Sequence, residues 1–170
     1  MPDDPDIEPE PKTVATVRVT QRDLEPQVRQ SLKFLRQVVR ATLHAVGVND
    51  SCEVSLMLTG DAAIQKLNAD YRGKNEPTDV LSFALQEGFD MPTPPGMPRA
   101  LGDIVISWDT TRRQAAQNGV DPQAELGWVL CHGVLHLLGY DHQNKAERAR
   151  MRALEVEVLR HLSLEKAVTV

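Results

Sequence analysis

Three of the five histidines in this 170-residue chain fall close together, at His132, His136 and His142. Residues four apart on a helix lie on one face, so His132 and His136 can direct their imidazoles to one point. Gly139 allows the chain to leave the helix by a left-handed turn, which can bring His142 back to that point. Three imidazoles with a fourth position left for water are typical of a catalytic zinc site rather than a closed structural one.

Two other interpretations of these histidines have to be weighed. A single histidine on an apolar helix is usually a core residue, but two in one apolar helix both need polar partners, and one shared cation supplies them. The spacing also equals that of a group of zinc proteases, HExxHxxGxxH. Gly133 stands where those enzymes carry the glutamate that accepts a proton, which counts against peptide hydrolysis by their mechanism. Nickel, copper and iron also accept three imidazoles.

The helix that carries the histidine pair has clear start and stop signals. Asp121 followed by Pro122 combines an N-cap oxygen with a proline at the first helical position, where the missing N–H costs nothing. Gly139 is a natural residue just beyond the other end. Because the helix is apolar on nearly all sides, we predict that it is buried.

The remaining pattern predicts an α+β fold with a single domain, in which a small mixed sheet of about four strands packs with helices around the buried metal-ligand helix. Alternation or continuous apolar runs predict the strands, 3.6-residue periodicity predicts the helices, and clustered proline and glycine predict a long surface loop. The predicted strands are 14–19, 53–59, 79–83 and 103–107; the predicted helices are 26–46, 61–72, 109–117, 122–138 and 145–162; and the loop is 88–102.

Composition and charge limit the possible partners. The formal net charge is −5, of which −4 comes from residues 1–12, a proline-rich acidic segment that we predict to be a disordered tail. Residues 13–165 are then the folded domain. The nearly neutral remainder argues against a broad basic surface for nucleic acid, and no apolar stretch approaches the length of a membrane span. With only Cys52 and Cys131, the chain suits a reduced, cytoplasmic protein.

Two further motifs carry a resemblance. The segments 71–83 (YRGKNEPTDVLSF) and 101–107 (LGDIVIS), together with HGVLHLLGYDH at 132–142, resemble those of the bacterial YbeY family of metal-dependent endoribonucleases. The resemblance covers about residues 53–160. Members of that family usually place a proline after the Ser-Phe pair, where this chain has Ala84.

The resemblance implies a single-strand-specific endoribonuclease that acts in rRNA maturation, at the 3′ end of the small-subunit rRNA, and in ribosome quality control. It implies one zinc ion held by His132, His136 and His142, water activated by that ion, and Arg72 stabilising the phosphate. The implied partners are single-stranded rRNA precursor and small-subunit ribosomal proteins or assembly factors. A non-catalytic assembly factor with a structural zinc, and a zinc hydrolase of another class, remain alternatives.

Several other polar residues allow two interpretations each. Lys74 could attract phosphate or simply be exposed. Asp141 could bond to a ligand histidine or stabilise a turn, and Asp103 could lie behind the metal or only begin a strand. His44 and His161 are far along the chain from the cluster, so we predict that they take no part.

Overall fold

The computed structural model describes residues 15–85 and 93–164, so the predicted tail at residues 1–12 lies outside the described residues. The strands are β1 (Ala15–Gln21), β2 (Cys52–Thr59), β3 (Val80–Ala84) and β4 (Arg99–Ser107); the helices are α1 (Leu32–Val46), α2 (Asp61–Arg72), α3 (Trp108–Asn118), α4 (Pro122–Leu137) and α5 (Lys145–His161). A short 3-10 helix covers Pro26–Val28. Within these described ranges, no helix has both the length and the apolar content needed to cross a bilayer.

The four strands form one mixed sheet in the order β1-β2-β4-β3. The first three strands in this order are parallel to one another, and β3 pairs antiparallel with β4 at the edge. Strand β4 therefore lies inside the sheet, as its continuous apolar sequence predicts. The predicted α+β class, with a single domain and a sheet of about four strands, is confirmed.

The two faces of the sheet are covered differently. On one face, alternate residues of β2 join α1, α4 and α5 in the main hydrophobic core. On the other face, Ile64 of α2 packs with Leu81 and Val105 in a smaller cluster. Helix α4 is central to the main core, and 11 of its 16 residues are buried, so the predicted burial of this helix is confirmed.

Helix α4 begins and ends as its sequence predicts. The carboxylate of Asp121 accepts a hydrogen bond from the backbone N–H of Gln123 at 2.8 Å, and Pro122 occupies the first helical position. After Leu137, the chain turns through Gly139, whose φ of 90° lies in the left-handed region. The cap at Asp121 and Pro122 sets where the helix begins, and the turn at Gly139 sets where the chain reverses after the histidine pair.

Strand β4 contains a bulge close to the C-terminal end of α4. Glu53 pairs with Ala100 and Val54 pairs with Gly102, so Leu101 is the extra residue. The extra residue reverses the alternation of side chains, and for this reason Leu101 shares the main core with Ile104. Gly102 has a φ of 142°, and a Cβ there would lie 2.1 Å from the backbone oxygen of Phe83. Only glycine allows β3 and β4 to approach this closely.

The N-terminus of α2 is attached to α3 through Asp61. Its Oδ1 accepts hydrogen bonds from the hydroxyls of Ser107 and Thr110 at 2.7 and 2.6 Å, and its Oδ2 lies 2.8 Å from the guanidinium of Arg113. Burial raises the pKa of Asp61, but the hydrogen bonds from Arg113, Thr110 and Ser107 outweigh burial and lower it overall. These contacts fix the N-terminus of α2 against the start of α3. Arg72 lies at the C-terminal end of the same helix.

Two predicted boundaries are wrong. Helix α1 begins at Leu32 rather than at residue 26, because Arg29 is extended with a ψ of 138° and the hydroxyl of Ser31 caps the N–H of Phe34. The predicted loop at 88–102 ends earlier, because β4 begins at Arg99, whose N–H bonds to the backbone oxygen of Ser51. Residues 88–92 of that loop lie outside the described residues.

Candidate metal centre and cleft

The structure brings the three predicted histidines together. One ring nitrogen from each of His132, His136 and His142 lies within 4.8 Å of the other two. The Nε2 atoms of His132 and His136 are 3.0 Å apart. Two ligand nitrogens bound to a tetrahedral zinc ion at about 2.1 Å would be about 3.4 Å apart, so the observed spacing suits a shared ion.

The three imidazoles come from two kinds of local structure. His132 and His136 are one turn apart on α4, whereas His142 lies in the exposed turn that follows Gly139. Asp141 supports this turn, because its Oδ1 accepts the backbone N–H of His142 at 2.7 Å and lies 3.4 Å from the Nδ1 of the same residue. Asp141 therefore makes a contact of each predicted kind. It stabilises the turn, and it faces a ring nitrogen of the cluster.

A buried carboxylate stands behind the first histidine. Oε1 of Glu155 on α5 lies 2.7 Å from Nδ1 of His132, and Oε2 accepts the indole N–H of Trp128 at 2.8 Å. The side chain of Glu155 is only 5% exposed. The contact places a hydrogen-bond acceptor at Nδ1 of His132, while Nε2 of the same ring faces the cluster.

The donor set fits a zinc ion. Burial, followed by the neighbouring His132 and His142, lowers the pKa of His136 below the ordinary imidazole value. A lower pKa keeps this imidazole neutral near pH 7, which is the form that binds metal. Three imidazoles match a zinc site with an open position, and a carboxylate behind one of them is the usual outer partner in such a site.

A cleft of about 460 Å³ opens in front of the imidazoles. One wall is formed by the edge strand β3, through Val80, Ser82 and Ala84, and the other by the histidines. Arg72 lines the same cleft, although it lies far from the histidines in sequence. The position of Arg72 is fixed by the end of α2, where Gly73 turns the chain at a φ of 69° and the side-chain amide of Asn68 holds the backbone oxygen of Glu76.

The other polar candidates do not meet at the cleft. Asp103 lines a different cavity of about 560 Å³ that includes Tyr71 and Phe83, so it does not lie behind the three histidines. Lys74 is exposed in the loop after α2 and does not line the cleft. His44 and His161 are exposed and lie outside the cluster, as predicted.

Cys131 is a core residue despite its place next to His132. It is fully buried in α4, and burial raises the pKa of its thiol to about 12. A neutral thiol that faces the core is a poor metal ligand, since the thiolate is the form that binds. Successive residues on a helix lie about 100° apart, so the sequence predicts that Cys131 points away from the cluster, and its burial confirms this.

Gly133 allows α4 to pack closely on the sheet. A Cβ at this position would lie 3.1 Å from both Ile104 and Val80 and 3.3 Å from the hydroxyl of Ser82. That hydroxyl donates a hydrogen bond to the backbone oxygen of Gly133 at 3.0 Å. A side chain here would require Ile104, Val80 and Ser82 to give way by a few tenths of an ångström. The position therefore suits glycine, and the chain lacks the glutamate that the zinc proteases with this spacing carry there.

Sequence reasoning missed Glu155 as a partner of the cluster, although a signal was present. Met151, Leu154 and Val158 form the apolar face of the last helix, and Glu155 lies on that face between them. A carboxylate on a buried face needs a partner, so its position indicates a buried donor opposite. The sequence does not show which donor, because Trp128 and His132 reach Glu155 only through the packing of α5 on α4.

Comparison with known proteins identifies the family of this chain. Residues 16–163 match the family model described as Endoribonuclease YbeY. A relative of that name from Heliobacterium modesticaldum is 44% identical over 154 residues, 85% of this chain and 91% of the relative. Another from a Roseiflexus species is 46% identical over 135 residues, 78% of this chain and 84% of the relative.

A solved structure shows the same fold. It is a solution structure of a protein from Thermotoga maritima, with 23% sequence identity and a TM-score of 0.55 over 91% of this chain and 97% of that one. At this identity the likeness concerns the fold alone. The family match over most of the chain and the two relatives carry the assignment: the chain belongs to the YbeY endoribonuclease family.

Proposed function

We propose that this chain is a metal-dependent, single-strand-specific endoribonuclease that matures the 3′ end of the small-subunit rRNA and acts in ribosome quality control. His132, His136 and His142 hold one zinc ion, and Arg72 stabilises the phosphate. The observation that carries the proposal is that Arg72 and the three imidazoles line one cleft. Family membership supports RNA as the substrate, because the relatives are named endoribonucleases.

The shape of the cleft supports a single strand. Its volume of about 460 Å³ falls within the range of roughly 300–1,000 Å³ for small-ligand sites, which suits one nucleotide unit better than a paired helix. Unpaired nucleotides can be splayed so that one phosphate enters a narrow cleft, whereas a duplex keeps its phosphates on the outside of a wide cylinder.

The residues at the cleft would have different roles in phosphodiester cleavage. An ion held by His132, His136 and His142 would act as a Lewis acid toward a phosphoryl oxygen and would lower the pKa of water toward neutrality. The guanidinium of Arg72 donates two parallel hydrogen bonds to phosphate oxygens and stabilises the negative charge that develops during attack. Glu155 keeps the ring of His132 in one orientation while this happens.

Substitution of Arg72 tests the proposed role directly. We expect Arg72→Ala to lower kcat/KM for a single-stranded RNA about a hundredfold, since one donor to the transition state is lost. Arg72→Lys should fall between wild type and alanine, because lysine keeps the charge but loses the paired geometry. The measurement is cleavage of end-labelled RNA, with circular dichroism to show that each variant folds.

The matched control is Arg112→Ala, which removes an exposed arginine of α3 that does not line the cleft. Equal cleavage by wild type and Arg72→Ala would contradict the proposed role of Arg72. If no preparation cleaves RNA and Arg72→Ala still supports ribosome maturation in cells, the non-catalytic assembly factor with a structural zinc becomes the better interpretation.

We infer that partner proteins direct the enzyme to its RNA. Beyond residues 1–12 the chain has a net charge of only −1, so its non-specific attraction to phosphate is weak. Small-subunit ribosomal proteins or an assembly factor would then supply the specificity. We expect the isolated protein to bind unrelated single-stranded RNA no more tightly than micromolar at physiological salt, as measured by fluorescence anisotropy. A nanomolar Kd would contradict this inference.

The remaining assignments follow from the same proposal. We propose residues 13–165 as the endoribonuclease domain, which the family match over residues 16–163 supports. We also propose a cytoplasmic location, where rRNA matures and where thiols stay reduced; Cys52 and Cys131 are both free and buried, which suits such a compartment.

A further inference from the structure

We propose that Glu155 is a positioning residue that fixes the tautomer of His132, and that it must be a carboxylate because it faces two N–H donors at once. The inference rests on the proposed metal site and deepens it. It concerns the groups that set the affinity of the site for its ion.

The geometry places Glu155 between two rings of the same helix. Trp128 and His132 are one turn apart on α4, with ring centroids 5.7 Å apart. Each ring presents one nitrogen to a different oxygen of Glu155, at 2.8 Å for the indole and 2.7 Å for the imidazole. The carboxylate reaches them from α5 and is almost fully buried, so water does not compete for its oxygens.

The contact determines which nitrogen of His132 can bind an ion. A neutral imidazole has one N–H and one lone pair. With the N–H at Nδ1 donated to Glu155, the lone pair is at Nε2, which is the atom 3.0 Å from Nε2 of His136. The opposite tautomer would put a hydrogen at Nε2 and remove His132 as a ligand at that atom.

Glutamine has nearly the same shape but lacks the second acceptor. Its amide offers one oxygen and one NH₂ group, which only donates. At position 155, the NH₂ would face an N–H from either Trp128 or His132, and two donors repel one another. If the NH₂ faces His132, the ring must place its lone pair at Nδ1 and its hydrogen at Nε2. A carboxylate avoids this conflict because both of its oxygens accept.

The test is a pair of substitutions and their combination. We expect Glu155→Gln to weaken zinc binding 10- to 100-fold, as losses of outer partners of metal ligands do. Trp128→Phe alone removes one of the two donors and should weaken binding less than about threefold. In the double variant the amide oxygen can turn to His132 and the NH₂ can face the phenyl ring, so most of the affinity should return.

Zinc affinity is measured by competition with a chromogenic chelator, which needs no RNA. The matched control is Glu157→Gln, an exposed glutamate on the same helix. Wild-type affinity in Glu155→Gln, or a double variant that binds no better than Glu155→Gln, would overturn the inference. The nitrogen chemical shifts of His132 in metal-free wild type give a second readout that needs no variant. They should show the hydrogen at Nδ1, and a hydrogen at Nε2 would overturn the inference.

These outcomes separate the inference from the proposed function. If wild type binds no zinc, the proposed metal site fails and the role of Glu155 fails with it. If wild type binds zinc and Glu155→Gln binds equally well, only the positioning role is lost. Cleavage of RNA by either protein does not enter this comparison.

Discussion

A His136→Ala variant is expected to lose RNA cleavage by at least about a thousandfold while keeping its fold. Removal of an outer partner of a metal ligand costs 10- to 100-fold, and removal of a ligand itself costs more. Two imidazoles would remain in the cluster, too few for a site that already leaves one position open. The measurement is cleavage of end-labelled single-stranded RNA by wild type and variant purified side by side.

The fold should survive because His136 takes part in the cleft rather than in the main core. Its side chain faces the cavity in front of β3, and the buried apolar residues of α4 lie on the other sides of the helix. Circular dichroism and a zinc titration check both expectations. His161→Ala is the matched control, since His161 is exposed and outside the cluster. Undiminished cleavage by His136→Ala would remove the metal centre from the proposed reaction.

Gly102→Ala should lower the free energy of unfolding by about 2–6 kcal/mol. Its φ of 142° is a region that alanine adopts only with strain, which costs about 1–3 kcal/mol. The new methyl group would also lie 2.1 Å from the oxygen of Phe83 and 3.0 Å from Leu137, so β3 or α4 must move. Overpacking of this kind costs about a further 1–3 kcal/mol. Urea unfolding measures the sum.

Gly119→Ala separates the two contributions. Gly119 also has a positive φ, of 66°, but a Cβ there would meet nothing within 4 Å. This variant should lose only about 1–2 kcal/mol, the cost of the left-handed conformation for a residue with a Cβ. If both variants were destabilised equally, the close approach of β3 to β4 would not be the reason why position 102 is glycine.

The histidine cluster could be predicted because its geometry is local. His132 and His136 converge through helix periodicity, and Gly139 reverses the chain within a few residues, so no distant contact is needed to bring the third ring near. Arg72 is different, because its spacing alone favours an ordinary exposed residue at a helix end. Only the family resemblance indicates that it faces the cleft. The pairing of β3 with β4 and the packing of α4 on that pair bring Arg72 and the histidines to one cavity.

The errors at the element boundaries also have physical reasons. The apolar periodicity that begins near residue 28 continues into α1, so the sequence does not show that Arg29 is extended or that Ser31 caps the helix. Residues 99–102 follow a proline-rich stretch and include a glycine, which favours a loop. Pairing with β2 on one side and β3 on the other makes them a strand, and the bulge at Leu101 accommodates the glycine.

The three imidazoles differ in how much of the structure must unfold before each can leave the cluster. His132 and His136 belong to α4, and separating them requires this buried helix to unfold, which is close to unfolding the whole domain. His142 lies in an exposed turn that can open without disturbing the core. When the turn opens, His132 and His136 stay in place and only His142 leaves the cluster. The rate at which an ion enters or leaves would then follow the local opening of the turn, and global stability would have little effect on it.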